Sequence, residues 1–252
     1  MTAHITDLYR YPIKGLSPEP LGTTTLAPGR TLPGDRSFAI ENGPIGFDPA
    51  APKFFPKHNF LMLMRNERLA ALRTRFDDAT QVLSIVHDGG RETHGDLGTE
   101  SGRATIEAFF AEKFADELRG PPKVLSSPGY SFSDLAAPVV SIINLASVAA
   151  LEGVIGQPVN PLRFRGNIHV KGWEAWSERG LPGRELQIGE VRLTVVDEIV
   201  RCAATNVDPD TAARDLEIPK TLMRSYDHAF CGVYCKVVTG GSITPGDEIR
   251  IA

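Results

Sequence analysis

The 252-residue chain has only three cysteines, Cys202, Cys231 and Cys235. An odd number, widely placed, excludes a disulfide framework, and three thiolates are too few for a four-cysteine iron–sulfur cluster. A reducing compartment fits this usage. Basic excess is also missing: 27 Lys and Arg against 31 Asp and Glu leave a formal net charge of -4. No global positive field therefore exists to hold nucleic acid or an anionic membrane, and any anion site must be local. The longest uncharged stretch, Ala136 to Leu151, is too short to span a bilayer and is broken by Pro138, Ser141, Asn144 and Ser147. The opening residues lack the apolar core of a secretory signal and the acid-poor character of a transit peptide. A soluble cytoplasmic protein is the expectation. No GxGxxG occurs, nor GxxxxGK followed by Ser or Thr, which argues against a dinucleotide domain and a P-loop. No CxxC or paired-histidine spacing marks a zinc site.

Turn formers are abundant. With 24 Gly, 19 Pro and 42% hydrophobic residues, the chain reads as a globular protein with many turns and hence many strands. The expected fold class is mainly β with a few helices. Short strands are predicted at Ile5–Tyr11, Gly22–Leu26, Arg36–Glu41, Phe60–Met64, Ala71–Phe76 and Val82–His87, with an irregular loop from Glu41 to His58. From Ser101 to Arg119, Ile106, Phe109, Phe110, Phe114 and Leu118 recur at helical spacing. That helix ends near Gly120-Pro121-Pro122, which suggests a boundary between residues 1–120 and 121–252. Beyond it, Val139–Ile143 reads as a buried strand, and Asn144 caps a helix from Leu145 to Glu152. Hairpins follow around Gly189-Glu190 and Gly240-Gly241, and Glu248 to Ile251 reads as a final strand.

The segment Arg201-Cys202-Ala203-Ala204-Thr205-Asn206-Val207-Asp208-Pro209-Asp210-Thr211 follows a strong strand and enters an Asx and Pro turn. A cysteine at a strand end is rigidly held yet reachable, and the adjacent Arg201 cation favours the thiolate. A thiolate suits softer transition metals, not magnesium or calcium. The alternative is a small buried hydrophobe, the usual fate of a free cysteine. Lys14, Arg36, Arg163 and Arg165 sit in short segments that contain glycines and are candidates for an anionic group. If Arg163-Phe164-Arg165 is a strand, both arginines project to one side. Asn144 and Ser147, at a helix start, either receive an anion on free backbone donors or simply cap. Asp208 is expected to order its turn, Cys231 and Cys235 to lie in the core, and His169 either to line a cleft or to be structural.

Taken together, LYRYPIKG (8–15), LPGDRSFAI (32–40), VVSIINLASVAAL (139–151), NPLRFRGNIHV (160–170) and RCAATNVDPDT (201–211) resemble the MOSC family. The family takes its name from the C-terminal domain of molybdenum cofactor sulfurase. The likeness is to its two-part members, among them the mitochondrial amidoxime-reducing component. It implies a MOSC β-barrel over 121–252 behind a small N-terminal β-barrel domain over 1–120. It implies a molybdenum–pyranopterin cofactor with Cys202 as protein ligand to the metal. Lys14, Arg36, Arg163, Arg165 and Asn167, with Asn144 and Ser147, would surround the pterin and its phosphate. Arg201 and Thr205 would flank the metal, and Asp208 would support the loop. The implied reaction is two-electron reduction of an N-oxygenated small molecule, with electrons from a separate reductase or iron–sulfur protein. Two other readings remain open: a sulfur carrier using a Cys202 persulfide, and a non-catalytic carrier of the cofactor. Gly166 departs from the proline of RFRPN, and 41–58 matches no family motif.

Overall fold

Alternating apolar residues build most of the strands, in the order β1 (Thr2–Arg10), β2 (Glu19–Leu21), β3 (Thr24–Leu26), β4 (Phe38–Asn42), β5 (Arg73–Phe76), β6 (Val82–His87), β7 (Arg91–Asp96) and β8 (Pro122–Ser126). The second half adds β9 (Val140–Asn144), β10 (Ile168–Lys171), β11 (Glu185–Ile188), β12 (Val191–Val200), β13 (Phe230–Thr239), β14 (Gly241–Ile243) and β15 (Glu248–Ile251). Three α-helices are interspersed: α1 (Glu100–Lys113), α2 (Leu145–Ile155) and α3 (Ile218–Tyr226). The computed structural model describes residues 2–252.

Seven strands close into a barrel in the order β10-β9-β13-β12-β11-β15-β1, with β1 returning to β10 and β2 appended to β1. The closing ladder pairs His4 with Lys171 and Leu8 with Ile168. Closure leaves no free edge among these strands. All barrel ladders are antiparallel except β9 with β10, which is parallel. A parallel pair needs a crossover, and α2 supplies it. Ile5, Leu8, Val140, Ile142, Val170, Leu186, Leu193, Val195, Val233 and Cys235 fill the interior. Each such aliphatic side chain contributes about 1.5–3 kcal/mol by leaving water.

The other part is built differently. β4 pairs with β8, and β5, β6 and β7 form a three-stranded meander. Among the described residues these strands do not close on one another. Instead α1 lays Ile106, Phe109 and Phe110 against Leu83, Ile85 and Val124 in a core of its own. Strand pairing crosses residue 120: β1 belongs to the barrel and β3 pairs with β14. Two arginines tie the parts together. Arg73 donates to the carbonyls of Pro209 and Asp210, and Arg214 to those of Leu63 and Met64.

Several boundaries shift. Thr99 caps α1 by accepting from the Gly102 amide at 3.1 Å, and the helix stops at Phe114, where the chain turns, not at Arg119. α2 runs past the exposed Gly153 to Gly156, whose φ of 79° provides the left-handed cap. Phe60–Met64 is not a strand; Phe60 makes one bridge to Glu41 before a turn. No helix is long and apolar enough to cross a membrane among the described residues.

Candidate functional site

A cleft opens between the barrel and the N-terminal part, with Cys202 on its wall. β12 delivers the chain to Val200, and the Arg201 amide still bonds the Ala229 carbonyl, so Cys202 leaves the sheet from a fixed point. Its carbonyl accepts from the Thr205 amide at 3.0 Å and the Thr205 hydroxyl at 2.9 Å. Downstream, Asp208 accepts from the Asp210 and Thr211 amides, closing the turn as its sequence suggests. The sulfur itself is half-buried, and Lys57 Nζ donates to it at 3.3 Å.

Opposite lies a cluster built around Tyr11. The turn Leu32–Asp35 returns the chain so that Arg36, at φ 51°, donates its amide to the Tyr11 carbonyl. The guanidinium carbons of Arg36 and Arg165 lie 5.0 and 4.1 Å from the Tyr11 ring centre. Arg36 also donates to Asp35 and, at 3.2 Å, to the Arg165 carbonyl. Burial pushes the Tyr11 phenol up to about 12. Burial, aided by Arg36, pulls Arg165 down to about 10, so it stays protonated at neutral pH. One Arg165 nitrogen donates to the Leu16 carbonyl at 2.8 Å; the other, Nη2, is buried without a partner. Lys14 reaches the Phe132 carbonyl at 2.9 Å and pairs with Asp134 at the cleft mouth. Burial lowers the Lys14 pKa despite that partner. For Asp134, Lys14, Lys57 and Arg36 outweigh the effect of burial and hold the carboxyl at about 2.

Six cationic side chains line the cleft (Lys14, Arg36, Lys57, Arg163, Arg165, Arg201) against two lining carboxylates, Asp35 and Asp134, with Arg163 paired to Asp208 and Asp215 behind the wall. The excess is local focusing of positive charge in a chain of net charge -4. Residues 130–250 match the family model of the MOSC domain. This region of the chain is a MOSC domain. The MOSC domain thus contributes Asp134 and Arg163 to Cys202, while Lys14, Arg36 and Lys57 come from outside the matched region. Among curated proteins, rat mitochondrial amidoxime reducing component 2 (Rattus norvegicus) is 30% identical over 161 residues, 57% of this chain and 47% of the relative. Human mitochondrial amidoxime-reducing component 1 (Homo sapiens) is 35% identical over 122 residues, 44% of this chain and 36% of the relative. The chain thus spans less than half the length of these relatives. The solved YuaD protein of Bacillus subtilis aligns over 100% of this chain and 96% of its own, with 14% identity and a TM-score of 0.47.

Not every expected MOSC residue meets the cleft in the same way. Lys14, Arg36 and Arg165 line it with their charged side chains, and Cys202 and Thr205 form part of its wall. Arg163 lines it, but its guanidinium is bidentate to Asp215 at 2.8 Å and bonded to Asp208 at 2.7 Å. Arg163-Phe164-Arg165 is not a strand. Asn160 caps a 3-10 turn over Pro161–Phe164 that ends in left-handed Arg165, so the two arginines diverge. Arg201 is committed to the Cys231 and Phe164 carbonyls. Asn167 spends its amide on Ser141 and the Tyr9 carbonyl. Asn144 and Ser147 lie away from the cleft: both bond Glu178, which is 1% exposed, at 2.8 and 2.9 Å. The start of α2 faces this buried carboxylate. Gly166 also finds its reason, since a Cβ there would meet Ile143 Cγ1 at 2.2 Å. Proline has no room.

Lys57, Asp134, Tyr11 and Tyr234 were not among the expected site residues. Lys57 lies in the loop without a family motif, and Asp134 is a single acid in a polar segment. Cys231 and Cys235 are buried, as expected. His169 is structural: it packs against Tyr9 outside the cleft, with Nε2 buried and unpartnered. Burial drives its pKa down to about 4. The folded state therefore keeps the ring neutral while the unfolded chain takes a proton near 6.5. Stability falls as pH drops from about 6.5 to about 4, by roughly 3 kcal/mol from this group. Urea unfolding across that range checks the fall, and His169→Gln should remove that contribution.

Proposed function

We propose that the cleft binds a pyranopterin molybdenum cofactor through Cys202, and that the chain is an oxidoreductase acting on N-oxygenated small molecules. One observation carries this reading: a reachable cysteine sulfur and a local excess of cations share one cleft in an acidic chain. The residues fit such a group. Thiolate sulfur is a ligand of the required softness. Buried Arg165 Nη2 lacks an acceptor, an omission that costs about 1–3 kcal/mol unless a ligand supplies one. Among the described residues no cluster of three His, Cys, Asp or Glu offers a metal site of another kind.

When bound, the cofactor supplies a metal able to take up two electrons and an oxygen atom. The protein's share is positional. Arg36 and Arg165, held on Tyr11, present preoriented donors to an anionic group. Thr205 fixes the backbone of Cys202, which sets where the sulfur points. Val139, Phe164 and Ile199, with Met62 and Met64, form apolar walls that limit water. Tyr234, whose pKa is raised by burial, brings a neutral phenol to the same cleft. Electrons would come from a separate reductase or iron–sulfur protein. The test is turnover: molybdenum-loaded protein given a low-potential chemical reductant is expected to convert an amidoxime to its amidine. Loaded protein that leaves amidoximes and hydroxylamines untouched would contradict the reaction and favour a non-catalytic carrier of the cofactor.

The Lys57 contact favours a second reading, in which a cation-paired Cys202 accepts a sulfur atom as a persulfide. Exposure to a polysulfide donor followed by peptide mass spectrometry distinguishes it: one added sulfur on Cys202, in a protein that takes up no molybdenum, is its expected signature.

A further inference from the structure

Asp134 is the more exposed of the two carboxylates that line the cleft against its cations. Its side chain is 48% exposed, whereas the Lys14 partner is only 6% exposed. Lys14 is also supported by the Phe132 carbonyl, so it does not depend on Asp134 for its position. The segment that carries Asp134 is lightly held. Phe132 is anchored by its amide to the Arg36 carbonyl and packs on Phe47 and Phe60. Val139 is buried at the other end. Between Ser133 and Pro138 the hydrogen bonds among the described residues are those from the Leu135 amide to the Ser133 hydroxyl and from Lys14 Nζ to the Asp134 carboxylate. A strap with so few backbone bonds is held chiefly by the Asp134 carboxylate, so a ligand that replaces that carboxylate on Lys14 releases it.

We propose that Asp134 is an internal competitor for the cationic cluster, setting how much negative charge a ligand must bring to enter the cleft. The carboxylate takes the place on Lys14 that a ligand's anionic group would take, and Lys57 and Arg36 add to its hold. A phosphate ester, with more charge and more acceptor oxygens than one carboxylate, displaces it; a neutral or weakly anionic molecule does not. The strap then moves away with Asp134, while Phe132 stays fixed. This rests on the anion-binding half of the proposed function and not on molybdenum.

The experiment is calorimetric titration with inorganic pyrophosphate of full-length chain purified from a host unable to make the pterin. Wild type, Asp134→Asn and Lys14→Met are compared, with unfolding midpoints establishing that each is folded. Asp134→Asn is expected to bind pyrophosphate about tenfold more tightly than wild type, and Lys14→Met more weakly. Equal affinity in wild type and Asp134→Asn overturns the competitor role alone and leaves the cofactor reading intact. Weaker binding by Asp134→Asn overturns it differently, by making Asp134 part of the ligand's own contacts. Binding to none of the three proteins overturns both this inference and the anion role of the cleft.

Discussion

Cys202→Ala is expected to lower bound molybdenum by more than about tenfold while leaving the fold unchanged. The two halves of that expectation have separate causes. Cys202 Sγ is half-buried and its one side-chain bond is to Lys57, so removing it creates little cavity. Away from cores and networks, such substitutions shift stability by no more than about 0.5 kcal/mol. The backbone at 202 stays tied by the Thr205 amide and hydroxyl, neither of which needs the sulfur. What disappears is the soft donor at the place where the cationic cluster would hold the rest of the cofactor. Metal analysis of both proteins from one host, with matching urea curves, checks both halves. Equal molybdenum in the two would remove Cys202 from the metal's ligands.

Arg163→Leu has the opposite profile: its main effect is on folding. The guanidinium is 2% exposed and joins Asp215, Asp208 and the Asn206 carbonyl, which hold the loop behind Cys202. Breaking a buried ion pair by deleting one partner leaves the other charges uncompensated and costs about 3–5 kcal/mol; since Asp215 and Asp208 reach solvent, the lower end applies. Chemical denaturation is the readout, and a loss below about 1 kcal/mol would show that the carboxylates resolvate freely. The network also gives a pH dependence. Burial would raise the Asp208 carboxyl, but the Thr211 and Asp210 amides and Arg163 hold it below its ordinary value. A group depressed in this way stabilises the fold above its unfolded pKa, and that contribution is lost as pH falls below the ordinary carboxylate range.

Much of this was legible in residue order. The alternation in Val82–Val86 and Leu186–Val195 specified strands because one face of each is buried, and the motif around Cys202 does reach the wall of the cleft. What stayed hidden has physical causes. β7 reads RETHGD, with no apolar alternation; it is a strand because β6 pairs along its whole length and α1 packs against it. α3 is a short helix led by Pro219, stabilised by burial of Ile218 and Leu222. Asn144 and Ser147 looked like anion ligands because a helix start offers free donors, but their partner, Glu178, lies more than thirty positions away. The divergence of Arg163 and Arg165 depends on one left-handed residue that spacing cannot reveal. Lys57 and Asp134 come from loops whose side chains meet the site only through tertiary placement.

The central claim is that this MOSC cleft holds a molybdenum–pyranopterin group. Its most direct test is molybdenum content, with fluorescence of the released oxidised pterin, for wild-type protein from a host with intact cofactor synthesis. The account predicts near-stoichiometric metal and pterin. Neither metal nor pterin, in a host where a MOSC relative loads normally, would contradict it and leave persulfide chemistry at Cys202 as the leading reading.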